Sequence, residues 1–206
     1  MILLVGTRSR GKQREVRRLL AGTGIEVRFP DDVGVFEEPA EDALELADSY
    51  ETNARAKAEY FSRRTGLPTV ADDSGLEVIA LGGAPGVRSK RWAGAQGPGA
   101  AVDAANNAEL LRRLAGAPAE RRRARFRCVL AYFPRPNAAP EIFEGICPGS
   151  ILDAPRGTDG FGYDPLFLSD ALGKTLAEAT DDEKDRVSHR GIAFRAFRER
   201  LAAGQP

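Results

Sequence analysis

The apolar residues of this chain come as short unbroken runs near the N-terminus and at helical or alternating spacing further on. Ile2-Leu3-Leu4-Val5 is an uninterrupted run closed by Gly6, the pattern of a strand buried on both faces. From Lys12 the positions Val16, Leu19 and Leu20 recur at helical spacing, and Gly22 and Gly24 end that helix. Ile25 to Phe29 predicts a second strand, and the acidic, weakly periodic stretch 31–48 predicts a loop or a connection between lobes. Asp48 with Glu51 resembles a capping box for a helix from Glu51 to Arg64, stopped by Gly66 and Pro68. Thr69-Val70-Ala71 predicts a short strand ending at Asp72-Asp73-Ser74-Gly75, with extended character resuming from Leu76 to Leu81.

The stretch 82–99 is rich in glycine and proline around Arg88, Lys90, Arg91 and Trp92, as functional loops are. A helix follows over 100–115, then a hairpin of 126–133 and 142–146 joined through Pro134 to Pro140. Residues 150–154 and 166–168 add extended segments, and Phe194, Phe197 and Leu201 mark a last helix. Helices alternating with strands, then a run of strands, then a helix, predict an α/β fold with a central mixed sheet and flanking helices.

Composition narrows the partners. With 206 residues and 42% hydrophobic content the chain can build one α/β domain over 1–206. Thirty basic residues balance thirty acidic ones, so no global field draws it to nucleic acid or a membrane surface. Any anion must be held by local charge. Cys128 and Cys147 lack C-x-x-C spacing and read as two buried thiols in a reducing compartment rather than a pair on neighbouring strands. The run 2–5 is too short for a signal sequence, and no apolar run reaches the roughly 20 residues a membrane span needs. A cytoplasmic location is expected.

Several segments carry chemistry. Gly6-Thr7-Arg8-Ser9-Arg10-Gly11-Lys12 matches the phosphate-loop pattern between a strand and a helix, but the next residue is Gln13 where that motif needs Ser or Thr. What remains is a strand-to-helix turn with free N–H groups, a positive dipole end and basic side chains, suited to a triphosphate; the alternative is an exposed basic turn. Asp72 and Asp73 at a strand end suit magnesium, a hard cation, and one of them suits proton acceptance from water. Adjacent strand residues face opposite ways, so both enter one site only if the chain turns there, and an Asx turn that simply ends the strand is the competing explanation. Phe161-Gly162-Tyr163-Asp164-Pro165 offers an aromatic face for a flat base, or else a packed corner. His189 is the only histidine, and with Arg190 it opens the last helix with donors able to read a base carbonyl. The run Arg121 to Arg127 is the densest basic stretch; without interleaved aromatics it reads as a solvated approach to a strand rather than a nucleic-acid patch.

Taken in order, these segments resemble the inosine triphosphate pyrophosphatase family. The matching stretches are Thr7 to Lys12 with Glu15, Glu51 to Ala58, Ala71 to Leu76, Leu81 to Val87, Phe126 to Leu130 and Gly160 to Phe167. Gly173-Lys174-Thr175, Ala177-Glu178, Lys184 and Ser188-His189-Arg190 complete the set, which spans nearly the whole chain. The resemblance implies magnesium-dependent hydrolysis of ITP, dITP and XTP to the monophosphate and pyrophosphate. It also implies two lobes around a nucleotide-binding cleft, and a homodimer. Carried over by position, Thr7, Arg8, Ser9, Arg10, Gly11 and Lys12 would hold phosphates with Lys57 nearby. Asp73 would be catalytic and a metal ligand, Asp72 would support it, Ser74 would touch substrate, and Glu45 would be the second metal ligand. Phe161, Gly162, Tyr163, Asp164, Lys174, His189 and Arg190 would line the base and sugar end. The chain departs from the family at Arg8-Ser9, where Gly-Asn is common, at Arg88, and over 45–50. A nucleotide or nucleic-acid-binding module without chemistry and a P-loop phosphotransferase remain as alternatives.

Overall fold

In the computed structural model, residues 1–203 are described; the last three residues of the expected 1–206 domain lie outside the described residues. The strands are β1 (Ile2–Val5), β2 (Glu26–Arg28), β3 (Thr69–Val78), β4 (Arg123–Phe133), β5 (Glu141–Ile151) and β6 (Phe167–Ser169). The α-helices are α1 (Arg10–Leu19), α2 (Tyr50–Thr65), α3 (Gly99–Arg113), α4 (Asp181–Val187) and α5 (His189–Ala203). One sheet has the order β2-β1-β3-β4-β5-β6; β1 pairs in parallel with β2 and β3, whereas β5 and β6 are antiparallel. The expected central mixed sheet with flanking helices is what the chain forms.

The residues group into two compact units, and the division falls inside β3, β4 and β5. Unit 1 holds Met1–Asp73, Cys128–Gly145 and the stretch from Ile192. Its sheet is covered on both faces, which is why β1 is apolar without alternation. Leu3, Val5, Val70, Cys128 and Leu130 pack on Val16 and Leu19 of α1 and Phe194 and Phe197 of α5. Ala71, Ala131 and Phe133 meet Ala54 and Ala58 of α2, and Leu4 meets Phe61. The period of two along β3 therefore sends Val70 and Asp72 to the α1 side and Ala71 and Asp73 to the α2 side.

Unit 2 holds Ser74–Arg127 and Ile146–Gly191. Its core joins Leu76, Leu110, Phe126, Ile151, Leu166 and Phe167. Cys128 and Cys147 are both buried thiols outside any disulfide, one in each unit's core, and burial pushes the Cys147 thiol up to about 11.

Four expectations need correction. Strand β3 does not end at Asp72-Asp73: it runs on through Gly75 to Val78 because both carboxylates have partners within the fold. The cap of α2 is Ser49, whose hydroxyl accepts from the Thr52 N–H, rather than a box formed by Asp48 and Glu51. Stretch 31–48 is not wholly irregular: it holds short 3-10 helices at Pro30–Val33 and Pro39–Glu45. The arginine run is not simply solvated. Arg122 is buried and donates to the carbonyls of Leu114, Ala117 and Leu152, while Arg123 pairs with Asp170 and Arg125 with Glu77. Arginines committed to these partners do not make a phosphate-binding stripe. Helix α4, which the apolar spacing does not predict, opens with a Thr180–Glu183 capping box.

Candidate active site

In unit 1 the turn after β1 is shaped by its own side chains. Ser9 caps α1 by accepting from the Lys12 N–H, so the hydroxyl at the family's amide position serves as an N-cap. Gln13 donates to the Thr7 carbonyl at 3.1 Å, an anchoring contact in place of the magnesium-binding hydroxyl of a phosphate loop. First-turn N–H groups of a helix lack intrahelical partners, so this end of α1 presents donors and a positive dipole end. Arg10 is exposed beside them.

The two adjacent aspartates part ways as strand geometry requires. Asp72 takes an ion pair from Lys12 Nζ at 2.9 Å, and the same ammonium lies 3.4 Å from its carbonyl oxygen. Asp73, on the other face, accepts from Asn53 Nδ2 at 2.9 Å and lies 3.6 Å from Lys57 Nζ. Asn53 and Lys57 are one helical turn apart on α2, so one face of that helix reaches the carboxylate. Lys57 also binds Glu45 Oε1 at 2.8 Å. Burial alone would lower the Lys57 ammonium, but Glu45, Asp73 and Asp72 raise it above its ordinary value. The lysine stays charged and holds two carboxylates around itself.

That donor set bears on metal binding. No group of three or more His, Cys, Asp or Glu residues gathers as a metal site among the described residues. Magnesium does not require such a cage, since it usually binds one or two carboxylates and takes the rest of its shell from water and substrate phosphate. Asp73 and Glu45, two hard oxygen donors joined through Lys57, fit that mode and do not suit a soft metal. Arg8 is placed differently from its expected neighbours. Its Nε and Nη2 grip Glu41 at 3.0 and 2.7 Å and its Nη1 meets Asp31 at 2.5 Å.

In unit 2 a second constellation forms around Phe161. Asp164 Oδ2 accepts from the Phe161 N–H at 2.8 Å and from Lys184 Nζ at 2.6 Å, folding the turn back on itself. Gly160 makes this possible: its φ is +79°, and a Cβ there would lie 2.2 Å from the Asp164 carboxylate. The Phe161 ring has Lys184 Nζ 5.2 Å and the Arg190 guanidinium carbon 5.8 Å from its centroid. Arg190 Nη2 donates to Ser74 Oγ at 2.7 Å, and His189 stacks on Phe126 at 4.7 Å. Gly162 is held through both backbone groups, its N–H by Asp103 and its carbonyl by Asn107.

The structure thus brings Ser74, Phe161, Asp164 and Arg190 together and adds Lys184. Tyr163 instead points into the core, its hydroxyl donating to the Ser89 carbonyl, and burial raises its pKa. Lys174 pairs with Glu183 at 2.7 Å. Asn53 and Lys184 join the two constellations, through Asp73 and Asp164 respectively, roles that their places in the sequence do not reveal. Asn53 shares one face of α2 with Lys57 at i,i+4, and Lys184 lies in α4, whose start the Thr180–Glu183 capping box marks.

The model of the Ham1 family matches residues 3–200. The chain is 50% identical over 193 residues to a dITP/XTP pyrophosphatase of Syntrophobacter fumaroxidans, covering 94% of this chain and 78% of that protein. It is 44% identical over 200 residues to a dITP/XTP pyrophosphatase of Yersinia pseudotuberculosis, covering 97% of each. Among solved structures, a HAM1 protein from Coxiella burnetii superposes with a TM-score of 0.85 at 34% identity, covering 99% of this chain and 100% of that one. With the sequence matched almost from end to end and the fold shared, this chain belongs to the Ham1 family.

Proposed function

We propose that this protein hydrolyses non-canonical purine nucleoside triphosphates, among them dITP, XTP and ITP, to the monophosphate and pyrophosphate. The reading is supported by relatives at 44 to 50% identity named dITP/XTP pyrophosphatases. The observation that carries it is Asp73, a nearly buried carboxylate aimed by Asn53 and flanked by the Lys57 ammonium.

In this proposal Asp73 accepts a proton from a water molecule attacking the α-phosphorus. The new P–O bond forms as the α–β bridging bond breaks, and pyrophosphate leaves. The turn amides of Thr7 to Lys12, together with the Ser9 hydroxyl and the Lys12 ammonium, hold phosphate oxygens, and Lys57 adds positive charge beside them. Magnesium, held by Asp73 and Glu45 when bound, supplies neutralisation of phosphate charge. Phe161 stacks the base. Arg190, His189 and Lys184 are donors suited to a 6-oxo purine and mismatched to the 6-amino group of adenine. Gly162, Tyr163, Asp164 and Lys174 complete the base and sugar end, the first three chiefly by fixing the turn.

We further propose that residues 1–206 act as a single domain and that the enzyme works as a cytoplasmic homodimer. No helix among the described residues is long and apolar enough to cross a membrane. Sedimentation at micromolar concentration tests the dimer, and a mass of one chain overturns it.

Rates on dITP, ITP, XTP, GTP and ATP, measured in parallel with magnesium, test the selectivity. Turnover of the first three well above the last two is expected; equal rates on all five, or ATP preferred, would reject it.

A further inference from the structure

The 3-10 helix Pro39–Glu45 carries Glu45 yet has no buried residue of its own, so the hydrophobic core does not fix it. Besides the Glu45–Lys57 pair, its placement rests on polar contacts to α2 and to the turn before α1. Before its start, the Glu38 carboxylate is held by the Tyr60 hydroxyl and by Arg64, both on α2. Beyond its end, Ala47 exchanges hydrogen bonds with the Asn53 side chain, its N–H donating at 3.0 Å and its carbonyl accepting at 3.2 Å. Within it, Glu41 is gripped by Arg8 of the turn before α1.

Of these contacts, the Arg8–Glu41 pair has the most demanding geometry. It is bidentate, and both side chains are largely shielded, 19% and 11% exposed, so it is screened less than a surface pair. Arg8 also lies against the Phe61 ring, 5.7 Å from its centroid, and Phe61 is buried. Each of the three guanidinium nitrogens already faces a carboxylate oxygen, two from Glu41 and one from Asp31. One positive charge thus stands against two negative ones. Such a group has little left to offer a triphosphate, which would meet local negative charge there.

We propose that Arg8 is a positioning residue whose side chain latches the Glu45-bearing segment through Glu41 rather than contacting phosphate. The latch links the phosphate-side turn to the segment that delivers Glu45 to Lys57, four residues after Glu41. The consequence for catalysis rests on the metal-binding role proposed for Glu45; the latch itself does not.

The test is a double-mutant cycle of Arg8→Ala and Glu41→Gln, with Arg8→Lys and the exchanged pair Arg8→Glu/Glu41→Arg as rescue variants. Amide hydrogen exchange over 38–47 is read on protein free of metal and nucleotide, and the magnesium midpoint and nucleotide KM are read separately. Each single substitution is expected to speed exchange over 38–47 about tenfold, with the double variant no faster than the worse single. The magnesium midpoint should rise several-fold in both, roughly three- to tenfold, while KM at saturating magnesium stays put. Arg8→Lys or the exchanged pair should recover part of the protection. Unchanged exchange in both single variants overturns the latch. So does a KM that rises in Arg8→Ala but not in Glu41→Gln, which marks a direct phosphate contact. If the wild-type protein hydrolyses none of the triphosphates, the proposed function fails while the exchange cycle still decides the latch.

Discussion

The side-chain amide of Asn53 donates to Asp73 Oδ2 at 2.9 Å while the same side chain grips both backbone groups of Ala47. One residue of α2 thereby fixes the direction of the proposed catalytic carboxylate and the course of the chain just past Glu45. Asp73→Asn retains shape and should leave the melting temperature within a few degrees while lowering kcat about 10²–10⁴-fold. Asn53→Ala should cost about 1–3 kcal/mol of stability, since it leaves buried polar groups unsatisfied, and should lower kcat more than it raises KM. Steady-state kinetics and thermal melts check both; an Asp73→Asn enzyme of near-native rate would remove Asp73 from the chemistry.

Lys57 gives a pH signature. Its folded-state pKa is raised, so its contribution to stability is fully present below its unfolded value near 10.5 and is lost as pH rises through the folded value. Lys57→Met leaves Glu45 and Asp73 without their shared cation and should destabilise the protein by about 3–5 kcal/mol near neutrality. The gap between wild type and Lys57→Met should narrow as pH is raised above about 10.5. Chemical denaturation from pH 8 to 11 measures this, and a gap that widens with pH contradicts it.

The Lys184–Asp164 pair, with side chains 6% and 5% exposed, is the buried ion pair that fixes the Phe161 turn. Breaking it from one side, as in Lys184→Met, should cost about 3–5 kcal/mol, whereas Lys184→Met with Asp164→Asn should cost less than the sum of the two singles. Denaturant titrations of the four proteins measure the coupling; strict additivity would show that the pair does not act as a unit.

Much of this was legible beforehand, for reasons visible in particular residues. Leu3, Leu4 and Val5 announced a two-sided strand because helices cover both faces of unit 1. Period-two geometry already implied that Asp72 and Asp73 diverge, and they do, one to Lys12 and the other to Asn53. What the sequence concealed depends on partners distant along the chain. Nothing local distinguishes Arg122, buried among three carbonyls, from exposed Arg121 next to it. The strand persists through Asp72-Asp73-Ser74-Gly75 because tertiary partners satisfy carboxylates that would otherwise favour a turn. The contacts of Arg8 were hidden because Glu41 and Asp31 lie 33 and 23 residues away.

Arg190 bears on base preference. It is 2% exposed and is held by Ser74 next to the Phe161 ring. Arg190→Ala should lower kcat/KM for ITP by tenfold or more, roughly, and bring the ITP/ATP ratio down with it, as loss of a charge-assisted donor to the base would. Parallel assays with ITP and ATP, with circular dichroism as the folding control, decide it; an unchanged ratio in a folded variant means the base is read elsewhere.

The central claim is attack of water at the α-phosphorus, and hydrolysis of ITP in 18O-enriched water tests it most directly. Phosphorus NMR or mass spectrometry of the products should find one 18O in the monophosphate and none in the pyrophosphate. Label in the pyrophosphate would place attack at the β-phosphorus, and labelled orthophosphate beside a diphosphate would place it at the γ-phosphorus, either of which contradicts the account.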